Sequence, residues 1–256
     1  MKHFLVISNG HGEDEIGAKL CQAIQSHYKQ VTIHVVPLVG PGQAYLSMGL
    51  TPSIQNPIFP SGGFIRTLKY LIKDLCSGLI QHVFYQRRHV KKLAEVMDMT
   101  LSIGDVFCLA QSSAGNTSPI FFLPTAKSDH FMPHSFIERF LIRRWSVYSF
   151  PRDPMTTKTF NRYGLQAIYF GNPMMDHLKT DQHIVTIKAS DKIITLLPGS
   201  RDEAYANSIH CLKVLQAIQQ GSTSTSFHFI LAASPHLDQP KLIQEIGWHA
   251  SKTDYG

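Results

Sequence analysis

The sequence contains few cysteines and no long apolar run. Its four cysteines lie far apart and form no CxxC pair, which disfavours a disulfide framework or a metal cluster and predicts reduced core thiols at Cys21, Cys76, Cys108 and Cys211. No stretch approaches the roughly 18 consecutive apolar residues that a membrane-spanning helix needs. The amino terminus also lacks the basic and then apolar layout of a secretory signal peptide. We therefore expect a cytoplasmic protein that binds no metal.

Charge is scarce and unevenly distributed. Charged residues make up 16% of the chain and apolar residues 43%, a balance typical of globular proteins and not of disordered ones. Residues 64–97 carry seven basic side chains against two acidic ones and so hold most of the net charge of +6. This pattern predicts either an amphipathic helix on an anionic membrane surface or a core helix with a solvated basic face. No DNA- or RNA-binding motif accompanies the charge, so we expect no nucleic-acid partner.

Short β-rich runs alternate with helical stretches, a pattern typical of a parallel sheet covered by helices. It predicts strands at residues 4–8, 31–37, 99–103, 120–123, 146–150 and 167–170. It predicts helices at residues 15–26, 64–97, 106–111, 134–144 and 154–163. The prolines and glycines that follow the second strand predict a long, functional loop. Residues 1–178 are thus predicted to form a Rossmann-like α/β domain.

A second domain is predicted after a polar linker at residues 179–191. Residues 192–256 restart the pattern with a strand at 193–197, a helix at 203–219 and a strand at 227–232. These residues are predicted to form the opening β-α-β of a second parallel sheet, and they are too few to bury a full core by themselves.

The turn that opens this second domain has the composition of a diphosphate site. An apolar strand runs into Gly199 and Ser200, and Arg201 precedes a helical sequence that starts at Glu203. Backbone amides at a helix start attract anions, and a glycine lets the backbone approach a ligand closely. A guanidinium adds a planar, permanently charged group that fits phosphate oxygens. The segment therefore predicts a clamp for a nucleotide diphosphate.

The turn after the first strand is rich in glycine but is not a dinucleotide fingerprint. Residues 9–15 read Asn-Gly-His-Gly-Glu-Asp-Glu, so the third glycine of G-x-G-x-x-G would fall on Glu15. Three acids at a helix start repel a pyrophosphate and suit sugar hydroxyls better. His11 is a candidate general base, and a plain glycine turn with acidic capping is the alternative. The candidates that line the cleft on this acceptor side are Asn9, Gly10 and Gly12.

Further candidates follow other strands. Asp105 lies at the carboxyl end of a central strand, where open α/β sheets bind ligands, and is either a helix N-cap or a catalytic carboxylate. A stiff Gly-Asn-Pro turn contributes Asn172 and Asp176 to the lip of an interdomain cleft, or forms a hinge. The basic aromatic segment 139–145 either extends the membrane-facing surface or caps a helix. The loop after strand 120–123 offers polar groups to the same cleft: Ser128, Asp129, His130 and His134.

Together these motifs resemble the lipid-A-disaccharide synthase family, and more closely its lipid-A-disaccharide synthase-related branch. Residues 9–18 stand where that family carries Gly-Glu-Ala-Ser-Gly-Asp-x-x-Gly-Ala, and the positions in common are Asp14, Gly17 and Ala18. Residues 171–176 resemble the family's Gly-His-Pro-x-x-Asp, with Asn172 in place of histidine. Residues 197–203 match its donor-side turn closely. The resemblance runs from the first strand to the end of the chain, and it departs from the family at Asn9, His11 and Glu13.

The resemblance implies a GT-B-type α/β fold, with two Rossmann-like domains and an active site between them. It implies transfer of an acylated glucosamine from UDP to a membrane-associated acceptor sugar, without a metal or other cofactor. The UDP-sugar donor would bind at Gly199, Ser200, Arg201 and Glu203. The proton of the attacking hydroxyl would pass to one of the catalytic candidates: Asp105, His11 or Asp14.

A complete second GT-B domain needs roughly another hundred residues, including a Gly-Thr-Ala-x-x-Glu-like turn that this sequence lacks. We therefore expect a fragment, a split or interrupted gene product, or half of a two-chain enzyme, inactive alone. The alternatives are a UDP-sugar epimerase-like enzyme and a non-catalytic membrane-surface remnant. The expected partners are a UDP-sugar donor, a lipid-linked sugar acceptor, a second chain, and the anionic inner face of the membrane, contacted through residues 64–97.

Overall fold

The computed structural model describes residues 1–56, 77–115, 118–175, 192–199, 203–221, 227–233 and 237–247 of the 256-residue chain. The chain divides into two compact units, Met1–Leu178 and Lys179–Gly256. Each unit is an α/β structure with a parallel sheet. No helix within the described ranges is long and apolar enough to cross a bilayer.

The first unit contains a five-stranded parallel sheet in the order β2-β1-β3-β4-β5. Its strands are β1 (Lys2–Ser8), β2 (Val31–Pro37), β3 (Met99–Gly104), β4 (Ile120–Pro124) and β5 (Tyr148–Ser149). Its helices are α1 (His11–His27), α2 (Gln43–Ser47), α3 (Leu79–Ala94), α4 (Val106–Ser112), α5 (Phe136–Trp145) and α6 (Pro154–Arg162). The chain thus moves from β1 out to β2 and returns across β1 to β3.

Alternate residues of β1 face two different helical layers. Val6 packs with residues of α1 and α2, whereas Leu5 and Ile7 pack with residues of α3 and α4. All three side chains are at most 1% exposed. A parallel strand covered by helices on both faces needs a continuous apolar run, which explains why this segment becomes an interior strand of the sheet.

The helices α3, α4 and α5 lie side by side on one face of the sheet, with α4 in the middle. Val90 of α3 and Cys108 of α4 join the core beneath β1. Leu109 of α4 and Ile142 of α5 pack beneath β4. This three-helix layer and the layer formed by α1 and α2 therefore bury the sheet from opposite sides.

Two of the four cysteines are confirmed as core thiols. Cys21 and Cys108 are free and buried, and burial raises the pKa of each thiol to about 12. Cys211 is free and partly exposed. Cys76 lies outside the described residues. The described thiols are thus protonated and unreactive at neutral pH where they are buried.

The prediction of a strand at residues 167–170 is wrong. Ala167 makes one isolated parallel bridge with Ser149 and does not continue as a strand. The side-chain amide of Asn161 bonds both the backbone N–H and the C=O of Ala167 at 2.9 Å, and so replaces a neighbouring strand. The strand predicted at 146–150 shrinks to β5 because the N–H of Ser146 still bonds to Ile142 at the end of α5.

Helix α1 begins at His11, four residues before its predicted start. Two acids, Glu13 and Asp14, lie in its first turn. Negative side chains there stabilise a helix through its partial positive end, and glycine is an acceptable N-cap, so the helix extends into the glycine-rich turn. Residues 9–12 are therefore not a free loop, because the second glycine already belongs to the helix.

The region after β2, predicted as a long loop, contains the short helix α2. Gly42 precedes it with a φ of 71°, a left-handed conformation that favours glycine. Farther along, the side chains of Asn56 and the buried Gln86 bond to each other and to backbone carbonyls after β2. The described part of this region is thus pinned to α3. Residues 57–76, which include most of the first half of the helix predicted at 64–97, lie outside the described residues.

The second unit contains a two-stranded parallel sheet. Its elements are β6 (Lys192–Leu196), α7 (Glu203–Gly221), β7 (Phe227–Leu231) and α8 (Gln239–Ile246). The first three agree with the predicted β-α-β order. Helix α8 was missed, although Asp238 caps it, a proline lies in its first turn and Gly247 ends it in a left-handed conformation.

Candidate functional site

The carboxyl ends of β1 and β3 form the crevice where open α/β sheets bind ligands. Strand order reverses at this point, because β2 flanks β1 on one side and β3 flanks it on the other. The N–H of Asn9 donates to the carbonyl of Ile103 at 3.2 Å, so the turn after β1 crosses the end of β3. Gly104 has a φ of 146°, and a Cβ there would lie 2.6 Å from the Cβ of Asn9. Glycine is needed because the two turns are in contact.

The start of α1 faces this crevice with little side-chain cover. Gly10 is the N-cap and makes no side-chain capping bond, and its carbonyl accepts the N–H of Asp14 at 2.7 Å. A Cβ added to Gly12 would meet nothing within 4 Å. The first amides of a helix have no partner inside the helix, so this open end can donate hydrogen bonds to a ligand oxygen. His11 is the first residue of α1; its side chain lies outside the described part of the chain.

Glu13 links the start of α1 to the end of β4. Its carboxylate oxygen Oε1 accepts a hydrogen bond from the hydroxyl of Thr125 at 3.0 Å. Thr125 directly follows β4, and its N–H donates to the carbonyl of Gly104. Three neighbouring strands thus bring polar groups together at one edge: a carboxylate, a hydroxyl and the amides of α1. Such a mixed set of donors and acceptors can bind sugar hydroxyls.

Asp14 is buried directly beneath the crevice. Its Oδ1 accepts a 2.5 Å hydrogen bond from the hydroxyl of Ser8, which itself accepts one of 2.8 Å from the hydroxyl of Tyr45. Burial, opposed by the Ser8 hydrogen bond and reinforced by the neighbouring charges of Glu13 and Glu15, raises the pKa of Asp14 to about 7. Among the described residues, none bonds to its second oxygen. The carboxyl can therefore hold or release a proton near neutral pH, but from behind the ligand-facing surface.

Gly17 has a packing role. A Cβ at Gly17 would lie 2.9 Å from Cζ of Tyr45 and closer still to its hydroxyl oxygen. Tyr45 is completely buried and belongs to α2, the helix that the sequence did not predict. The glycine shared with the resembled family therefore admits the tyrosine that completes the Tyr45–Ser8–Asp14 chain of hydrogen bonds.

Asp105 is the N-cap of α4. Its side chain accepts the N–H of Cys108 at 2.9 Å, and the residue is half-buried at the end of β3. Of its two predicted roles, the structural one is thus observed. One of its oxygens is used in capping, and the residue lies at the crevice, so a catalytic role for Asp105 stays a prediction.

The first residues of the Gly-Asn-Pro segment form the predicted turn. Gly171 has a φ of 108°, and the side chain of Asn172 accepts the N–H of Met174 at 3.1 Å. The ring of Phe170 lies 5.8 Å from that of Phe150, which directly follows β5. Asn172 thus fixes its own turn. Asp176 lies outside the described residues.

The polar groups after β4 hold their own loop. The N–H of Asp129 donates to the hydroxyl of Thr156, and the N–H of Met132 bonds back to Ser128. His134 is buried against the ring of Phe160, and this burial lowers its pKa. These contacts tie the loop to α6 and present the residues between them to solvent.

The predicted donor turn in the second unit is described only in part. Gly199 has a φ of 113° with open space around its Cβ position, and Glu203 begins α7. The side-chain amide of Asn207 donates to the carbonyl of Pro198 at 2.9 Å, which ties the turn to the helix. Ser200 and Arg201 lie outside the described residues. The strand–glycine–helix order is therefore present, and the role of Arg201 stays a prediction.

Comparison with known proteins gives no match to a family model and none among curated proteins. Solved structures do match. An S. aureus MnaA–UDP co-structure has a TM-score of 0.55 at 15% identity, over 96% of this chain and 66% of that one. The Neisseria meningitidis UDP-GlcNAc 2-epimerase bound to UDP-GlcNAc has a TM-score of 0.55 at 15% identity, over 96% and 69%. Acinetobacter baumannii MurG has 0.52 at 13%, over 96% and 71%.

These matches extend over both units of the chain. The chain has a GT-B-type α/β fold. Its first unit is the Rossmann-like domain with the five-stranded sheet, and its second unit contributes the β6-α7-β7 segment. The chain spans about two thirds of the length of the proteins that it matches. At these identities the likeness concerns the fold alone.

Several residues of the crevice were missed in the sequence. Ser8, Tyr45 and Thr125 take part in its hydrogen bonds but carry no motif. A usable signal exists for two of them, because Ser8 is the polar last residue of an apolar strand and Thr125 is the first polar residue after another. No group of three or more potential metal ligands occurs among the described side chains.

Proposed function

We propose that the chain is part of a UDP-sugar-dependent glycosyltransferase that moves an acylated glucosamine onto a lipid-linked acceptor sugar, as a lipid-A-disaccharide synthase does. The observation that carries this proposal is the crevice at the carboxyl edge of β1, β3 and β4. There the open start of α1, the Glu13–Thr125 pair and Asp105 converge within one GT-B-type domain.

In this scheme the first unit binds the acceptor. Carboxylate and hydroxyl groups such as those of Glu13 and Thr125 are suited to sugar hydroxyls, which both donate and accept hydrogen bonds. The acceptor hydroxyl attacks the anomeric carbon of the donor as the bond from that carbon to the diphosphate breaks. Its proton passes to Asp105 or His11, or to the Ser8–Asp14 pair behind them, where a pKa near 7 suits a general base.

The second unit would hold the donor. The turn after β6 offers the flexible backbone of Gly199 at the start of α7, and Arg201 lies next to it in sequence. Helix amides and a guanidinium would offset the negative charge that develops on the departing diphosphate. Support for a UDP-sugar comes from the co-structures of similar fold, whose names state UDP and UDP-GlcNAc as their ligands.

A UDP-sugar 2-epimerase is the second candidate. MnaA and the Neisseria meningitidis protein are at least as similar in fold to this chain as MurG is, and the latter of the two is named as a UDP-GlcNAc 2-epimerase. An epimerase would use the same donor side but would need no acceptor, so the contacts of Glu13 and Thr125 would not be required for turnover.

The test combines nucleotide binding with product analysis. The chain is titrated with UDP by calorimetry. It is then incubated, alone and together with the proposed second chain, with UDP-GlcNAc and acylated UDP-glucosamine, with and without a lipid-linked sugar acceptor. UDP release that depends on the acceptor supports transfer, and conversion to the 2-epimer without acceptor supports the alternative. Absence of any UDP binding at millimolar concentration would contradict both.

Matched variants separate the two activities. Thr125→Val removes the hydroxyl that bonds Glu13 while keeping the shape of the side chain. For a transferase we expect a higher KM for the acceptor and an unchanged Kd for UDP. For an epimerase, which has no acceptor, turnover of UDP-GlcNAc and the Kd for UDP should both stay the same.

A further inference from the structure

The two helical layers of the first unit differ in charge. The outer layer of α3, α4 and α5 contains seven basic residues and one acidic residue, whereas α1 and α2 together contain three acids and one lysine. The one acid of the outer layer, Glu138, is paired with Lys127 at 2.8 Å. One further exposed acid, Glu95, directly follows α3 beside Lys91 and Lys92, so the charge that faces solvent from this layer is predominantly positive.

The same layer exposes aromatic and aliphatic side chains at the start of each helix. On α3 and α4 these are Ile80, Phe84 and Phe107, which are 55%, 60% and 45% exposed. On α5 they are Phe136, Ile137 and Phe140, which are 76%, 67% and 58% exposed. Helices that connect parallel strands begin at the carboxyl edge of the sheet, so these apolar side chains lie at the edge that holds the crevice.

Helix α5 shows the arrangement most clearly. At about 100° per residue, Phe136, Ile137, Phe140, Arg143 and Arg144 share one side of the helix, and all of them are exposed. Its buried residue, Ile142, points the other way into the core. The outward face is thus apolar in the first turns and basic in the last, whereas the outward face of an ordinary surface helix is polar throughout.

The exposed side chains are held in place by local structure. A capping box between Ser135 and Glu138 fixes the start of α5. Phe131, which is 85% exposed, lies in a turn closed by bonds from the amides of Phe131 and Met132 to Ser128. The order of this region means that the exposure of the aromatic rings is built into the fold.

We propose that this outer surface, formed by the exposed apolar and basic side chains of α3, α4, α5 and the Phe131 turn, docks the protein on anionic lipid headgroups. Aromatic rings insert at the boundary between headgroups and acyl chains, and arginines and lysines contact lipid phosphates. The positive charge beside exposed aromatic rings suits an anionic lipid surface, where basic side chains meet headgroup phosphates and the rings reach the acyl chains. The inference rests on the proposed function only for its purpose, which is to bring the crevice close to an amphiphilic acceptor.

The experiment is flotation of the full chain with vesicles, without nucleotide. Vesicles of phosphatidylcholine are compared with vesicles that contain about one third phosphatidylglycerol, at low and high salt. We expect binding to the anionic vesicles, weakened by salt. The double variant Phe136→Ser, Phe140→Ser should lower the partition coefficient at least about tenfold. Arg143→Gln, Arg144→Gln should lower it by about tenfold on anionic vesicles alone.

The matched control lies on the opposite layer. Tyr28→Ser with Lys29→Gln removes an exposed aromatic ring and an exposed charge after α1, and should leave vesicle binding unchanged. Equal losses in the control and the α5 variants, or no preference for anionic vesicles, would overturn the proposal. Self-association that the α5 variants abolish, in the absence of vesicle binding, would also overturn it and assign the surface to a second copy. UDP titration of the same variants keeps this result separate from the nucleotide-binding test.

Discussion

The turns after β1 and after β6 both run from a strand through a glycine into a helix, but they differ in the charged residues around the glycine. After β1, Gly10 leads into a helix whose first turn contains Glu13 and Asp14. After β6, Gly199 leads into α7, and the residue at position 201 between them is an arginine. The backbone order is the same in both turns, and both helices begin with acidic residues, but only the second turn contains an arginine.

This difference shows why topology alone does not specify a ligand. A helix start attracts anions, and acids in its first turn cancel that attraction. The first turn is therefore suited to neutral polyhydroxy groups. In the second turn Arg201 offsets part of the charge of Asp202 and Glu203 and adds a donor that fits a diphosphate. Four changes would test or sharpen this contrast, beginning with the largest expected effect.

The protonation of Asp14 should make the stability of the folded protein depend on pH, and this is the largest of the four effects. Its pKa is raised from 3.8 to about 7, so the native state keeps a proton that the unfolded chain has already lost. The protonated Asp14 carboxyl contributes fully to the free energy of unfolding below about pH 4. This contribution, about 4 kcal/mol in total, is lost as the pH rises through 7. Asp14→Asn should therefore be more stable than the parent at pH 8 and equally stable at pH 4, measured by urea unfolding. Parallel profiles for the two proteins would contradict the assigned pKa.

The glycines of the first turn should respond very differently to a methyl group. Gly17→Ala places a Cβ against the ring of Tyr45 and should destabilise the protein by about 3 kcal/mol. Gly12→Ala meets open space in the first turn of α1 and should be neutral or stabilising. Thermal melts of the two variants measure the difference, and similar melting temperatures would show that Tyr45 is not packed against Gly17.

The second turn should be the one that responds to nucleotide. Arg201→Gln is expected to weaken UDP binding by about 2 kcal/mol, or roughly 30-fold, because it removes a charged donor to the diphosphate. Arg139→Gln, on the outer helix layer, serves as the control and should leave the Kd unchanged. Calorimetric titration decides the case. If Glu13→Gln tightened UDP binding instead, the two turns would have exchanged roles.

The smallest effect concerns the cap on α4. Asp105→Ala removes the bond to the N–H of Cys108 and should cost about 1 kcal/mol, whereas Asp105→Asn keeps the cap. Turnover by the asparagine variant then reports on catalysis alone. Loss of turnover at unchanged stability is the result expected for a general base, and full activity would leave Asp105 as a cap.

The regular parts of the fold were predictable because their local signals agree with their environment. Strand β2 matches its predicted bounds, since it is rich in β-branched residues, follows two polar residues and ends at a proline. The strand at 167–170 failed because one side chain, Asn161, took the place of a partner strand. Asn161 lies only six residues before Ala167, but no motif indicated that its side chain would bond the backbone there.

The position of the candidate site was predictable from the sequence, but the hydrogen bonds between its residues were not. Asn9, Gly10, Gly12, Asp14 and Asp105 were expected at the carboxyl edge, and the structure brings them together there. The bond between Glu13 and Thr125 joins residues 112 positions apart, and Tyr45 reaches Ser8 across 37. Rules based on residue spacing describe a single helix or strand. Hydrogen bonds between residues of different elements can therefore be identified only in the folded structure.

Residues 8, 14, 17 and 45 have a consequence for how this chain can change over time. The hydroxyl of Tyr45 occupies the space that a side chain at 17 would need, and the same hydroxyl supports the serine that serves Asp14. A larger residue at 17 is tolerable only with a smaller one at 45, and a smaller residue at 45 removes the hydroxyl that supports Ser8 and, through it, the buried Asp14. Divergent sequences with this domain should therefore exchange these four positions as a set.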